Sequence, residues 1–467
     1  MVGGILMSTD KIYNSIEEVL DIAESAEGKT VGEFDINNRL DSRGNKGGIG
    51  QVLEEGLFKM AVNSRAEADF VDLGLELKVT AIKENKKNDF SAKERLVLNI
   101  INYEEDYKDS FEESSFWQKN KNLLIIFYLY KDELDKKDFP IIKSVLHNFD
   151  PVDLEIIKQD WQTIIDKIKA GEAHNISEGD TMYLAACTKG ANAKSIRKQP
   201  FSNIPAKQRA FSLKSSYMSA FARRVIDRQL IPSLFNVDEL KSKTTLQLLQ
   251  ERFAPYIGKR VSEIAKLVDI PVTKNKAFNA NLISAVLGVK GTKLESLREF
   301  SKANIKFKTI RLEPTGIPKE HMSFEQIDFH RWLNDAWEDS QLYEKFEYTK
   351  YLFVVFQYDE TEKENKNREP YLKGIMLWNM PEVVIEHELK ELWKTTKAIL
   401  EEGVQLTPVH NGVSNNLPGA SFNGICHIRP KGRDGNDKVM LPDGQEITKQ
   451  CYWLNREYIA EIVKELK

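Results

Sequence analysis

The sequence predicts an α/β protein built from two tandem copies of one domain. Three observations predict it. Stretches whose apolar residues have helical spacing alternate with stretches that read as strands. Short motifs return in the same order about 230 residues later. The chain has 467 residues, enough for two or three domains of ordinary size.

The elements follow in order. Ser15 to Glu27 reads as a first helix, because Val19, Leu20, Ile22 and Ala23 have helical spacing. Gly47 to Phe58 reads as a helix carrying Glu54 toward a site. Residues 64 to 80 read as a lead-in and a strand. Within it Leu75, Leu77 and Val79 alternate with Glu76, Lys78 and Thr80, so period two sends one set to a core and leaves the other on the opposite face. Lys119-Asn120-Lys121 precedes an apolar strand over Leu123 to Tyr130. Glu155 to Ile168 is amphipathic, with Ile156, Ile157, Trp161, Ile164 and Ile165 on one side. A link falls near residues 228–245, giving a first domain over 10–230 and a second over 242–467. The polar run Asp359 to Arg368 reads as a loop of the second copy.

The repeat is carried by several short matches. Gly28-Lys29-Thr30-Val31 returns as Gly258-Lys259-Arg260-Val261, and Lys46 as Lys276, both at offset 230. Lys121 to Phe127 returns as Lys350 to Phe356 at offset 229. Asp160-Trp161-Gln162 resembles Leu392-Trp393-Lys394, and Phe211-Ser212-Leu213 to Tyr217 resembles Tyr452-Trp453-Leu454 to Tyr458. Each match is short. Their common order and near-constant offset argue for duplication.

The chemistry centres on Asp69, Glu76 and Lys78: an acid, six residues, a second acid, one residue, a lysine. On a strand, Glu76 and Lys78 share a face, and the preceding segment delivers Asp69. Two hard oxygen ligands suit Mg²⁺. A lysine beside them can orient the attacking water or stabilise charge on a phosphate. This is the layout of a metal-dependent nuclease. Alone, the spacing also suits a solvated strand face, since charged residues make up 30% of the chain. Glu67 and Asp72 are rival candidates for the place of Asp69.

The surrounding blocks decide between these readings. Lys46-Gly47-Gly48-Ile49-Gly50-Gln51-Val52-Leu53-Glu54 precedes the triplet. Lys119-Asn120-Lys121, Thr188-Lys189-Gly190-Ala191-Asn192-Ala193-Lys194 and Phe211-Ser212-Leu213-Lys214-Ser215-Ser216-Tyr217 follow it. In this order and spacing, over roughly residues 17 to 225, the set resembles the MutH family of GATC-specific endonucleases. That family includes a mismatch-repair nicking enzyme and two-domain GATC-cutting type II restriction enzymes. The resemblance implies a PD-(D/E)xK fold, a mixed sheet flanked by helices, in each copy. It implies Mg²⁺-dependent hydrolysis of double-stranded DNA at GATC. By position it assigns Asp69, Glu76 and Lys78 to the catalytic triplet, Glu54 to the upstream acid and Lys119 to a further active-site lysine. Metal ligands would be Asp69, Glu76 and Glu54. Lys189 matches a lysine at the DNA bases.

Two positions depart from the family. Cys187 stands in place of an arginine at the bases, and Ser212 in place of a tyrosine near the methylated adenine. A small Ser212 would admit an adenine methyl group, so cutting indifferent to adenine methylation is expected.

The second copy keeps little of this chemistry. At offset 230 Glu54 becomes Ser284, Asp69 becomes Glu299 and Glu76 becomes Lys306, while Lys78 survives as Lys308. At offset 229 Lys119 becomes Tyr348. A cation at a metal-ligand position repels Mg²⁺. The second copy is therefore expected not to cut. Its segment His427-Ile428-Arg429-Pro430-Lys431-Gly432 keeps both basic residues of the base-contacting block, which makes Arg429 and Lys431 candidates for reading DNA. A solvated turn is the plainer reading of the same residues. A silent copy that holds a second GATC would raise the local concentration of the nuclease or switch it on.

Composition sets outer bounds. The net charge is −4, which argues against a nonspecific, tail-driven nucleic-acid binder. The basic runs Lys194 to Lys198 and Lys207 to Arg209 suit phosphate contacts or ordinary solvated loops alike. Three cysteines without a C-x-x-C pattern offer neither a disulfide framework nor a zinc site. No apolar run reaches membrane-spanning length, and Met1 to Met7 lacks the basic start of a signal peptide. A reduced, cytoplasmic protein is expected, a free monomer that pairs on DNA. The rival functions are a methyl-directed repair nicking enzyme and a non-catalytic DNA-binding module.

Overall fold

The computed structural model describes residues 11–41, 47–62, 67–85, 89–190, 195–275, 277–410 and 412–466. Lys46, Lys276, residues 64–66 of the lead-in and Ala191–Lys194 of the basic block lie outside them. The chain divides into two compact units. The first runs to Thr244 and takes in Ser301–Ala303; the second holds Thr245–Phe300 and the residues from Asn304 onward.

The first unit is a mixed α/β body. Its elements are α1 (Ile16–Glu24), α2 (Gly48–Gly56), β1 (Glu76–Glu84), β2 (Phe90–Ala92), β3 (Leu96–Ile100), α3 (Ser115–Asn120), β4 (Asn122–Leu129), β5 (Ile141–Asn148), α4 (Pro151–Lys169), β6 (Leu184–Thr188), β7 (Ile196–Gln199), β8 (Ser202–Lys207), β9 (Arg209–Leu213), α5 (Ser215–Ile226) and α6 (Val237–Ser242). Where the sequence predicts one mixed sheet, the strands form two larger sheets and a two-stranded β7–β8 pair. A four-stranded sheet runs β2-β1-β4-β5, and a three-stranded sheet runs β3-β9-β6. Side-chain caps start α1 and α4. Ser15 caps α1 by accepting from the Glu18 amide. Asp150 caps α4 ahead of Pro151, whose missing N–H costs nothing at that position. The link predicted near 228–245 contains α6, held to α4 because Gln159 donates to the carbonyls of Leu240 (2.7 Å) and Lys243 (3.0 Å).

Strand β1 is more enclosed than its alternation implies. It is parallel to β4 and antiparallel to β2, so both neighbours shield it. Thr80, Ala81 and Ile82 are all buried, on both faces. Leu77, Leu124, Ile126 and Ile141 face the core formed with Val19, Ala23, Val52 and Leu53 of α1 and α2. On the other face Phe127 packs against Phe221 of α5 (centroids 6.0 Å). Burying such rings and aliphatic chains stabilises the fold by about 1.5–3 kcal/mol per side chain.

The second unit comprises α7 (Thr245–Phe253), α8 (Val261–Leu267), α9 (Phe278–Val286), the first three residues of α10 (Arg298–Lys302), β10 (Ile305–Leu312), β11 (Met322–Gln326), α11 (Phe329–Asn334), α12 (Gln341–Glu347), β12 (Lys350–Gln357) and β13 (Tyr371–Trp378). It continues with α13 (Glu382–Val384), a π-helical turn (Ile385–Leu389), α14 (Lys390–Glu402), β14 (Leu406–Val409), β15 (Gly412–Asn415), β16 (Cys426–Pro430), β17 (Lys438–Met440), β18 (Glu446–Thr448), β19 (Gln450–Leu454) and α15 (Arg456–Val463). Residues 359–368 form no helix or strand, as their polarity predicts.

Inside, the second unit repeats the first. Its larger sheets run β10-β12-β13 and β11-β19-β16, and β14–β15 and β17–β18 form two-stranded pairs. The parallel pair β10–β12 matches β1–β4. Gly28 and Gly258 both take left-handed backbone (φ 82° and 79°), and each donates at 2.8 Å, to the Ile141 and Leu372 carbonyls respectively. Irregularities in pairing coincide too: after Phe127 and after Val355, and between Val97/Ile100 and Ser323/Gln326. These landmarks place Phe127 on Val355, one residue off the predicted match of β4 to β12. With that register, Thr80 (opposite Phe127) falls on Ile310 (opposite Val355), so Lys78 falls on Lys308, as predicted.

Candidate active site and DNA-facing residues

A tight reversal of the chain explains the six-residue spacing of Asp69 and Glu76. Phe70 and Leu75 bond each other's backbones, and the turn between them closes at Gly74 with φ 55°. Glycine takes this conformation without a Cβ penalty. The reversal lays Asp69 against the start of β1. The Leu77 amide donates to Asp69 Oδ2 (2.9 Å), and the Asp69 amide donates to Glu76 Oε2 (3.2 Å). Lys78 donates to Glu76 Oε1 at 2.6 Å. Lys119, from the last turn of α3, reaches to 3.7 Å of the same oxygen and donates to the Glu67 carbonyl (3.0 Å). The rivals fare worse: Glu67 and Asp72 are exposed, whereas Asp69 is half-buried and bonded to the start of β1.

Helix α2 brings the third acid. Glu54 and Asp69 line a cavity of about 220 Å³, with Tyr13, Phe70 and Asp72. Burial, then the charges of Asp69 and Glu76, push the Glu54 carboxyl up to about 7. Burial, then Glu76, pushes Asp69 up to about 6. Desolvation and like charge both disfavour the ionised acids. The cluster is short of positive charge, and its donors are hard carboxylate oxygens, so it fits a divalent cation such as Mg²⁺. Among the described residues no three Asp, Glu, His or Cys side chains already converge as a finished cage. Asp69, Glu76 and Glu54 are the side chains that would hold the ion.

The candidate base-reading residues lie on the second sheet. Lys189 is exposed just beyond β6, its amide bound to the Gln208 carbonyl (2.8 Å). Ser212 is different. It is 0% exposed, in the middle strand of its sheet, and its hydroxyl faces the Ala185 carbonyl at 3.4 Å. Ser212 therefore offers no surface to a base, and the expected gap for an adenine methyl group is absent. Cys187 is likewise buried, opposite Ala210.

The second copy holds these positions open. Arg429 and Lys431 are exposed, and pairing within β16 and β19 sets Arg429 at the place of Cys187 and Trp453 at the place of Ser212. The Trp453 ring carries both cations, each 5.6 Å from its centroid. At the positions of Glu54 and Asp69, Ser284 and Glu299 are buried, and Lys306 replaces Glu76. The corrected register moves the counterpart of Lys119 from Tyr348 to Glu347; neither is a lysine.

Sequence reasoning missed Tyr13 and Trp453. Nothing around Tyr13 signals a role. Trp453 was visible, because the repeat aligns it with Ser212.

Comparison with known proteins agrees with this layout. The family described as DNA mismatch repair enzyme MutH matches residues 58–160 and again residues 291–391. The type II restriction enzyme Sau3AI of Staphylococcus aureus is 35% identical over 495 aligned positions, covering 97% of this chain and 99% of that one. The chain belongs to the Sau3AI family of type II restriction enzymes. As a Sau3AI-family enzyme it is a site-specific deoxyribonuclease, and DNA is its substrate. The mismatch repair protein MutH of Shewanella woodyi is 26% identical over 194 residues, covering 41% of this chain and 82% of that protein. MutH of Serratia proteamaculans is 25% identical over 218 residues, covering 44% and 92%. These repair proteins span one copy, whereas the Sau3AI relative spans both. Among the described residues, no helix is long and apolar enough to cross a membrane.

Proposed function

We propose that this Sau3AI-family enzyme cuts both strands of double-stranded DNA at GATC with Mg²⁺, from one active site in its first copy. The observation that supports this is the contact of Asp69, Glu76, Lys78 and Lys119 beside the cavity that Glu54 and Asp69 line in the first copy, and the replacement of Glu54, Glu76 and Lys119 in the second. Each copy is read as a PD-(D/E)xK-type domain, over 10–230 and 242–467. When bound, Mg²⁺ would neutralise charge building on the scissile phosphate and acidify a water. Asp69 and Glu76 would hold the ion, with Glu54 beside it. Lys78, already fixed to Glu76, positions or deprotonates the attacking water. Lys119 adds positive charge near the reacting phosphate.

The second copy is read as catalytically silent. Arg429 and Lys431, presented on Trp453, suit the guanine edge and backbone of a second GATC. Lys189 serves the bases at the first site. One active site needs two chains, or two successive nicks, to break both strands. The enzyme is read as a cytoplasmic monomer that pairs on DNA.

The test is digestion of plasmid DNA with Mg²⁺ and with EDTA, with the ends mapped by sequencing. Double-strand ends at GATC with Mg²⁺, and none with EDTA, are the expected result. Nicks alone, or ends at another sequence, would overturn the proposal.

A further inference from the structure

The second copy contains a cleft of about 600 Å³, lined by Lys308 and Arg311 of β10, by Lys319, Lys366 and Arg368, and by Asn279 of α9, among others. That size lies within the range of small-ligand sites, about 300–1,000 Å³. Its charge is the reverse of the acidic cavity in the first copy. Arg368 is neutralised by Glu313 (2.5 and 2.7 Å) and Lys319 by Glu362 (2.7 Å). Lys308, Arg311 and Lys366 remain in no described ion pair, against Glu320 alone among the lining acids. Lys308 donates to the Ser323 carbonyl at 2.9 Å, and Lys431 donates to the Ser323 hydroxyl. The lysine that survives from the triplet thus meets the predicted DNA-reading lysine at one residue.

The fold also opens this place. In the first copy β2 covers the outer edge of β1, but β10 is an edge strand. Short of the bridge from Leu312 to Pro318, such an edge leaves backbone N–H and C=O groups without a strand partner. Burial pushes the Lys308 ammonium down to about 8, a strain that an anion would relieve.

We propose that this cleft is a metal-independent clamp for a DNA backbone phosphate, with Lys308 as the principal contact. The inference rests on the reading that the second copy binds DNA. In the first copy, acids recruit a cation that meets the phosphate; in the second, lysine and arginine meet it directly.

The test uses the full chain in EDTA. Lysine acylation is followed by mass spectrometry with and without saturating GATC duplex, and duplex binding is titrated with salt for wild type and Lys308→Met. Protection of Lys308 and Lys366 by DNA is expected. Lys308→Met is expected to weaken binding and to lower the slope of log K against log[salt] by about 1, as loss of one phosphate contact does. If Lys308→Met melts well below wild type, the double variant Arg311→Ala/Lys366→Ala, at two exposed positions, carries the same expectation. Lys431 protected while Lys308 and Lys366 label freely would overturn the clamp alone. No protection at Lys308, Lys366 or Lys431 would overturn the DNA-binding reading beneath it.

Discussion

Glu76 holds the candidate site together through its two oxygens. One accepts from the Asp69 amide, and the other faces the Lys78 and Lys119 ammonium groups. Glu54 and Asp69, by contrast, are raised to about 7 and 6. The sign of their pH effect follows. Unfolded, these acids titrate near 4. Between about pH 4 and 7 the folded, metal-free protein holds protons that the unfolded chain releases, so these two groups make stability fall as pH rises through that window. Mg²⁺ binding requires the ionised acids and offsets the loss. Melting temperatures from pH 4.5 to 8 should therefore show a Mg²⁺-induced rise that grows with pH. Glu54→Gln should shrink that growth; an equal Mg²⁺ effect at every pH would argue against these acids as ligands. The triplet was legible in the sequence because spacing and strand period encode it. The burial of Ser212 was not, because nothing in a seven-residue block says that its strand is the middle one of a sheet.

At the scale of elements, α2 sets where Glu54 sits. Gly56 ends that helix against the backbone of Phe34, and a Cβ there would lie 1.8 Å from the Phe34 carbonyl oxygen. Gly56→Ala must displace the end of α2 and with it Glu54, two residues earlier. The expected outcome is a loss of roughly 1–3 kcal/mol in stability, typical of overpacking, together with weaker Mg²⁺ stimulation. Gly74→Ala is the contrasting case. Nothing lies within 4 Å of the added Cβ, and only the φ of 55° is strained, at a cost of about 1–2 kcal/mol. Urea titration of both variants checks the pair. The positions of α1, α2 and α4 were legible, because apolar spacing along a helix is a local signal. The division of each copy into two larger sheets was not, since strand pairing joins residues as distant as Leu96 and Leu213.

At the scale of the whole molecule, duplication is the organising fact. The repeat was readable as an order of weak motifs, yet its register in β12 slipped by one residue until the paired irregularities fixed it. The roles proposed for the two copies follow from what each kept: acids in the first, exposed arginine and lysine in the second. If the second copy holds another GATC, two-site plasmids should be cut faster than one-site plasmids, and a free GATC duplex should stimulate cutting of the latter. Equal rates without stimulation would remove the effector role. Sedimentation should find a monomer without DNA and pairing on a GATC duplex; a stable dimer without DNA would count against this assembly.

The central claim is that one copy cuts and that Glu76 and Lys78 do the work there. The most direct measurement is cleavage and binding by full-length Glu76→Ala and Lys78→Ala beside wild type, with Mg²⁺ and GATC plasmid. Loss of all detectable cleavage with duplex binding largely kept is the expected result. Cleavage persisting in either variant would contradict the account, because it would place the chemistry elsewhere in the chain.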